Sequence, residues 1–193
     1  MPFEIDDDLR DELTRRWSEP HRRHHDLNHL NEVLAALATL HDDGLAFAAR
    51  PVVLAAWFHD AVYEPLGADN EGASADLARA RLAGDPDVDE VVRLVEMTRS
   101  HQAAADDRNG IALSDADLAV LGASAGRYDA YSAAVCDEYR EVPEEAFRAG
   151  RAAILSDFLS RDRLFASEEG RARWESAARE NIAREIGALR SGS

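Results

Sequence analysis

A histidine–aspartate pair interrupts a strongly apolar segment in the first third of the chain. His59 and Asp60 lie within 55–63, which reads AAWFHDAVY. A buried charge is costly unless it is paired or bound to a metal ion. Imidazole nitrogen and carboxylate oxygen together suit Zn²⁺, Fe²⁺, Mn²⁺, Co²⁺ or Ni²⁺. Adjacent helical residues point about 100° apart, so both reach one ion only near a helix end. A buried salt-bridged pair is the alternative.

Two histidines nearer the N-terminus are spaced four residues apart. On a helix, His25 and His29 would share one face, one turn apart. Leu27 and Leu30 flank His29, so we predict that His29 faces the interior. The alternative is a pair of partly buried histidines satisfied by hydrogen bonds. The remaining histidines of this region, predicted to lie at the surface, are His21, His24 and His41.

Two carboxylates, Asp115 and Asp117, interrupt the apolar segment 113–121. Asp115, or Ser114 before it, is suited to cap the helix that follows. Capping accounts for one acid and leaves Asp117, inside the helix and next to Leu118, in need of a buried partner. Two residues correspond to about 200° around a helix, so both acids cannot ligate one ion from a regular helix.

The elements that must position these residues are predicted to be helices. Apolar residues recur at three- and four-residue intervals, with little of the alternation that is typical of strands. We predict an all-α fold in a single compact domain over 1–193, with an exposed loop over 103–113. Helices are expected near 5–17, 21–42, 51–62, 70–83, 87–102, 115–122, 127–140, 144–160 and 170–189.

Composition limits the partners of this chain. Its 22 basic residues, all arginine, stand against 38 acidic residues and give a net charge of −16. Such a charge repels the nucleic-acid backbone and argues against a long nucleic-acid partner. It does not exclude a small phosphorylated molecule, because a metal ion can invert the sign of the local field.

The sequence also carries no sign of a membrane or secretory protein. The longest apolar run, 51–58, is too short to span a bilayer. The segment 1–8 is acidic where a signal peptide would be basic and then apolar. Cys136 is the single cysteine, so no intramolecular disulfide is possible. We therefore expect a cytoplasmic protein without a membrane partner.

Taken in order, His29, His59-Asp60 and Asp117 resemble the signature of the HD-domain superfamily of metal-dependent phosphohydrolases. That signature is a His, a His-Asp pair and a distant Asp. The chain is also similar to one bacterial branch of predicted HD phosphohydrolases, from about residue 17 to 189. The similar segments are PHR at 20–22, HDLNHL at 25–30, WFHDAVY at 57–63, DNE at 69–71, SA at 74–75, DADL at 115–118 and FRAGR at 147–151.

The resemblance implies an HD-type helical fold and a phosphohydrolase activity. It implies that His29, His59, Asp60 and Asp117 hold a divalent ion, which would be Mn, Fe, Zn, Co, Ni or Mg. A metal-activated water would then attack a phosphoester or phosphoanhydride of a small molecule, with a nucleotide as the expected substrate.

Proton transfer near that water needs a carboxylate. Glu71 and Glu64 are the candidates for general acid or base, and Glu71 also matches the pattern of the similar branch. The alternative for both is a solvated surface position. His25 and His101 are expected to contact the phosphate of the substrate or to donate hydrogen bonds to the metal ligands; ligation of a second ion is their alternative role.

Arginines are expected to bind phosphate, because a phosphoryl oxygen favours a bidentate cation. Arg22, just ahead of the first metal histidine, is the leading candidate. Arg148 and Arg151 follow, three residues apart on one predicted helix. Ion pairing with acidic neighbours such as Glu144 and Glu145 is the alternative role for these two.

Two other functions stay open at this point. A di-iron oxygenase on the same fold would need additional ligands, for which His25 and His101 are the obvious residues. A non-catalytic module that binds a nucleotide or a metal would not need the full set of ligands that this sequence retains. The apolar stripes also permit a homodimer without requiring one.

Overall fold

The computed structural model describes residues 5–191, and all regular secondary structure in that range is helical, which confirms the predicted all-α fold. The helices are α1 (Asp7–Trp17), α2 (Leu27–Asp42), α3 (Ala49–Phe58), α4 (Asn70–Arg81), α5 (Val88–Met97), α6 (Arg108–Asp117), a 3₁₀ segment (Leu118–Gly122), α7 (Ala125–Glu138), α8 (Glu144–Ser160), α9 (Glu168–Gly170), a π-helical segment (Arg171–Glu175) and α10 (Ser176–Ser191). Residues 1–4, part of the stretch that argues against a signal peptide, and residues 192–193 lie outside the described range. Within that range, no helix combines the length and apolar character needed to cross a bilayer.

Aspartate side chains set where several helices begin. The side chains of Asp26 and Asp107 accept hydrogen bonds from backbone N–H groups in the first turns of α2 and α6. These N–H groups have no partner within the helix, so the caps satisfy them. Because Asp26 caps α2, that helix begins at Leu27, later than predicted. His25 therefore lies before the helix and does not share a helical face with His29.

The predicted loop over 103–113 is wrong in its second half. Helix α6 begins at Arg108, and the N–H of Gly110 donates to the Asp107 carboxylate at 2.9 Å. The apolar residues 111–113 are buried. The polar residues that suggested a loop are thus the cap and first turn of a helix, and its buried face follows immediately.

Buried apolar side chains form two clusters. The first comes from α1 to α6 and includes the fully buried Trp17 and Phe58. The second comes from the 3₁₀ segment, α7, α8, α10 and the loop before α9, and includes Tyr128 and Phe165. Trp174 packs against both clusters. The candidate site borders the second cluster, because Leu118, Leu121, Tyr131 and Leu155 of that cluster line its cavity.

Candidate metal centre

The four residues that the resemblance assigns to a metal lie at the ends of three helices. His29 lies in the first turn of α2, Asp117 is the last residue of α6, and His59-Asp60 follow the last residue of α3. The Nε2 atoms of His29 and His59 are 3.4 Å apart. Oδ1 of Asp117 lies 3.0 Å from the first of these nitrogens and 3.6 Å from the second. Oδ2 of Asp60 lies 3.3 Å from Nε2 of His59, so all four side chains meet.

The end of α3 explains how two adjacent residues reach one place. The helix ends at Phe58, and His59-Asp60 continue as a turn. The turn is held by Arg22, whose guanidinium donates to the carbonyl oxygens of Asp60 at 2.8 Å and Ala61 at 3.3 Å. Carbonyl groups in the turn after a helix have no partner within the helix, and this arginine supplies one.

The backbone fixes the tautomer of His59. Its Nδ1 donates to the carbonyl oxygen of Ala56 at 2.8 Å. A carbonyl only accepts, so Nδ1 carries a hydrogen. In the neutral ring, Nε2 then presents a lone pair toward the carboxylates of Asp60 and Asp117. Acceptors that face one another repel, so the arrangement requires a positive charge, either a proton on Nε2 or a bound cation.

The electrostatics of the site agree with that requirement. Burial lowers the pKa of His59, but Asp60 and Asp117 outweigh burial and raise this pKa well above its ordinary value. Burial raises the pKa of each carboxyl, yet the charge of His59 lowers the pKa of Asp60 below its usual range. His59 and His29 together lower the pKa of Asp117. The site therefore favours ionised carboxylates beside a positive charge.

The donor atoms fit a divalent cation. One ligand atom each from His29, His59 and Asp117 lies within 4.8 Å of the other two. The side chains of these residues are 3%, 1% and 12% exposed, so water competes little for them. Two imidazole nitrogens and a carboxylate oxygen suit a transition ion, and the adjacent Asp60 offers a further oxygen.

Comparison with known proteins yields no relative. No family model matches the chain. No curated protein and no solved structure matches it either. The assignment of a candidate metal centre therefore rests on the positions and chemistry of the donor atoms themselves.

A cavity of about 420 Å³ opens beside the donor atoms. This volume falls within the range of sites that hold small molecules. Its walls contain all four predicted ligands, so a small molecule in the cavity would lie against them. Four further residues that the sequence analysis selected also line it: His25, Glu71, His101 and Arg151.

His25 lines the cavity with one ring nitrogen already engaged. Its Nδ1 donates to Oε2 of Glu138 at 2.7 Å, and the ring stacks on Tyr63 with centroids 4.2 Å apart. Burial lowers the pKa of His25, but the hydrogen bond to Glu138 and the nearby carboxylates outweigh it, so the pKa is raised. Nε2 is the ring nitrogen left to face a ligand. A protonated ring in this position suits an anionic oxygen.

His101 lines the same cavity in an uncommon backbone conformation. Its φ of 51° lies in the left-handed region, which residues other than glycine rarely adopt. Nε2 lies 3.7 Å from Oδ2 of Asp117, and the buried Nδ1 has no hydrogen-bond partner within residues 5–191. Burial lowers the pKa of His101, which favours a neutral ring. Contact with phosphate or with a second ion stays a prediction.

The two candidate proton-transfer carboxylates occupy different places. Glu71 lies in the first turn of α4, lines the cavity, and has Oε2 3.7 Å from Nε of Arg99. Glu64 is exposed and lines a separate depression with His21. The structure thus brings Glu71 to the candidate site and leaves Glu64 outside it.

Arg22 does not occupy the position expected of a phosphate-binding residue. Its guanidinium is fully buried and also donates to the carbonyl oxygen of His25 at 2.8 Å and to the carboxylate of Glu19 at 3.1 Å. Together with the carbonyl groups of Asp60 and Ala61, these acceptors engage the N–H groups of the guanidinium. Contrary to the prediction, Arg22 stabilises the backbone that carries the predicted metal ligand Asp60.

The other two predicted arginines lie on α8, but only one of them lines the cavity. Arg148 donates to the carbonyl oxygens of Ala188 and Leu189 near the end of α10, which is again a helix cap and not a phosphate contact. Arg151 does line the cavity. It also donates to Glu185 at 2.9 Å and to the hydroxyl of Tyr131 at 3.0 Å, so its charge is partly balanced.

Two buried residues at the site, His24 and Glu138, were not predicted from the sequence. His24, predicted at the surface, is 6% exposed, and its ring meets that of Tyr131 with centroids 4.6 Å apart. The carboxylate of Glu138 accepts the backbone N–H groups of Arg23, His24 and His25 at 2.8 to 2.9 Å. No local pattern identifies Glu138, because its partners lie far away along the chain.

Asp115 also differs from its predicted role. It is fully buried and accepts hydrogen bonds from the N–H of Ala166 at 2.7 Å and the N–H of Ser167 at 2.8 Å. The hydroxyl of Ser167 donates to it as well, at 2.5 Å. Asp115 therefore ties α6 to the segment before α9, whereas Asp117 joins the metal ligands.

Proposed function

We propose that this protein is a metal-dependent phosphohydrolase that cleaves a phosphoester or phosphoanhydride bond of a small molecule, with a nucleotide as the expected substrate. One observation carries the proposal: the buried Nε2 of His59 faces Asp60 and Asp117 in a site that requires positive charge. The cavity of small-molecule size beside it supports the proposal. The resemblance to the HD-domain superfamily supports the same assignment.

His29, His59, Asp60 and Asp117 would hold the ion. When bound, a divalent ion supplies a Lewis acid for a phosphoryl oxygen and lowers the pKa of a water molecule toward neutrality. Hydrolysis breaks the bond between phosphorus and the bridging oxygen and forms one to the oxygen of water. The water gives up a proton, and the leaving oxygen gains one. The other residues of the site must therefore bind phosphate and exchange protons.

His25 is the residue best suited to bind phosphate. Glu138 fixes Nδ1, and the raised pKa keeps the ring protonated closer to neutral pH. Nε2 can then donate a charge-assisted hydrogen bond to an anionic oxygen in the cavity. Arg151 adds a second cationic group, moderated by Glu185.

Glu71 is the residue best suited to exchange protons. Its carboxylate lines the cavity and lies outside the set of predicted metal ligands, so it can accept or release a proton near them. Nε of Arg99 lies 3.7 Å from Oε2 of Glu71, so the two side chains form an ion pair at the edge of the cavity. We assign the role of general acid or base to Glu71 and not to Glu64, which lies outside the cavity.

Elemental analysis of purified protein tests the metal centre. We expect about one transition ion per chain in the wild type, loss of the ion in Asp60→Ala, and retention in Asp106→Ala, an exposed aspartate control. Phosphate release is then screened over nucleotides and other phosphate esters with each candidate ion. If Asp60→Ala keeps both ion and activity, the assignment of the site is wrong.

Other outcomes identify the alternatives. Two irons per chain with absorbance in the visible range would favour an oxygenase and overturn the hydrolase. A nucleotide that raises the melting temperature but is recovered unchanged would indicate a binding module. If the protein takes up no ion after incubation with Mn²⁺, Fe²⁺, Zn²⁺ and Co²⁺, the catalytic proposal fails.

A further inference from the structure

A second concave surface, which we call the apolar cleft, adjoins the cavity of the candidate metal centre. Its volume is about 540 Å³, and His25, Glu71, His101 and Arg151 line both spaces. Beyond these shared residues, the walls of the cleft are mainly apolar: Leu66, Val135, Val142, Phe147 and Ile154. The cleft is therefore an apolar continuation of a polar cavity.

The exposure of two side chains marks the cleft as unusual. Within residues 5–191, Leu66 and Ile154 are the large hydrophobic side chains that are clearly exposed, at 65% and 55%. Both line the apolar cleft. Scattered single apolar residues at a surface need no explanation, but two that line one concave surface beside a candidate active site indicate a ligand.

Helix α8 shows how the fold creates this surface. Phe147, Gly150 and Ile154 are spaced by three and four residues, so they lie along one face of the helix, and all three line the cleft. A Cβ atom placed on Gly150 would meet no other atom within 4 Å. The glycine thus leaves open the middle of the apolar wall.

We infer that the apolar cleft binds an apolar group attached to the phosphate of the substrate, while the phosphate lies against His25 in the cavity. This inference rests on the proposed function and narrows its substrate class. Continuity between the two spaces supports it, because a ligand can reach from one to the other past the residues that line both. A hydrocarbon chain and the faces of a nucleobase share the required chemistry.

Two pairs of phosphate esters test the inference and distinguish these sources. Hexyl and ethyl phosphate release alcohols of similar reactivity but differ in hydrocarbon length. Adenosine 5′-monophosphate and ribose 5-phosphate differ in the base. We expect kcat/KM to be at least about tenfold higher for the larger member of one pair, since each buried methylene contributes a few-fold. The pair that discriminates identifies the apolar group.

Substitutions in the cleft test whether the cleft causes the preference for the larger ester of a pair. Gly150→Leu should fill it and Ile154→Asn should make it polar, so both should reduce the preference to about twofold or less while the smaller ester reacts as before. Gly187→Leu is the matched control, because Gly187 also lies within a helix with nothing within 4 Å of an added Cβ. A preference that survives both cleft variants overturns the inference.

A binding measurement separates this inference from the proposed function. Calorimetry of the metal-loaded protein with hexylphosphonate and ethylphosphonate requires no turnover. Tighter binding of the hexyl compound, lost in Gly150→Leu, without hydrolysis of any ester would refute the hydrolase and retain the cleft. Hydrolysis of all four esters without preference would support the hydrolase and refute the inference about the cleft. If the cleft variants change only the oligomeric state, the surface is an interface between copies, and the inference is wrong.

Discussion

Oε2 of Glu138 lies 2.7 Å from Nδ1 of His25, and the other oxygen of the same carboxylate accepts three successive backbone N–H groups. The hydroxyl of Tyr63 also donates to Oε2, at 3.1 Å. A buried carboxylate with this many donors is well stabilised in its ionised form. One side chain at the end of α7 thereby fixes the non-helical segment before α2 and orients a ring of the candidate site.

Replacing Glu138 by Gln should destabilise the protein. The amide oxygen can still accept N–H groups, but its NH₂ group cannot accept from Nδ1 of His25. We expect the free energy of unfolding to fall by about 2–4 kcal/mol, because a buried charged hydrogen bond is lost. Urea unfolding measures the change. Glu141→Gln, at an exposed position, is the control, and a loss below about 1 kcal/mol in Glu138→Gln would contradict this role.

The same carboxylate should make stability depend on acid pH. Burial raises the pKa of Glu138, but the hydrogen bond and charge of His25 and the backbone N–H groups outweigh it and lower the pKa from 4.5 to about 2. A lowered pKa in the folded state stabilises the protein above the unfolded value. This contribution is lost as pH falls from 4.5 toward 2.

Unfolding at several pH values tests that dependence. The difference in unfolding free energy between wild type and Glu138→Gln should be largest near about pH 5.5 and shrink as the pH approaches 2. It should also shrink at higher pH, because His25, whose pKa this carboxylate raises, then loses its proton. Urea titrations near neutrality and at two acid pH values suffice. Parallel stability curves for the two proteins across this range would show that Glu138 does not titrate as described.

Metal ions should stabilise the folded protein. An ion that binds the folded chain alone adds about 2.7 kcal/mol at one hundred times its Kd, and a chelator should reverse the effect. Thermal unfolding with and without the ion measures it. His59→Gln should abolish the stabilisation, whereas His41→Gln, at an exposed position, should retain it. Equal stabilisation of His59→Gln would place the ion elsewhere.

Arg22→Lys should reduce stability without weakening substrate binding. A lysine ammonium cannot reproduce the planar fork that serves the carbonyl groups of His25, Asp60 and Ala61. We expect a loss of about 2–4 kcal/mol, against less than about 0.5 kcal/mol for the exposed Arg79→Lys. Urea unfolding and KM, measured together, separate the roles. A raised KM at unchanged stability would restore Arg22 as a phosphate contact.

Glu71→Gln should lower kcat by about a hundredfold or more if this carboxylate transfers protons. The amide keeps the size of the side chain and removes its titration, so KM should change less than kcat. Glu64→Gln is the control, because Glu64 is exposed and lines a separate depression. Equal effects of the two substitutions on kcat would remove the assignment.

The convergence of His29, His59 and Asp117 was implied by the resemblance to the HD-domain superfamily, and the need of buried polar residues for partners agreed with it. The helix ends that carry them were not predicted: His29 was placed inside a helix over 21–42, whereas the cap at Asp26 makes that helix begin at Leu27. The three- and four-residue spacing of apolar residues predicted an all-α fold, which the structure confirms. Local spacing therefore predicted that the elements are helices, but it did not predict where two of them begin.

The residues that support the site could not be predicted in this way. Arg22 looked like a phosphate ligand, but its acceptors are backbone carbonyl groups on another element. His24 was predicted to be exposed, but its ring packs against Tyr131 of α7, and Glu138 at the end of the same helix accepts its backbone N–H. The apolar cleft depends on α8 facing the loop that carries Leu66. Each of these features is a tertiary contact with no counterpart in local spacing.

The donors of the candidate centre are preorganised by contacts that contain no metal. The Ala56 carbonyl orients His59, Arg22 fixes the turn that carries Asp60, and Asp26 caps the helix that begins beside His29. The chain has therefore already lost most of the local conformational entropy that ion binding would otherwise consume. Ion uptake should be fast and accompanied by a small heat-capacity change, and discrimination among ions should follow from the fixed spacing of the donors.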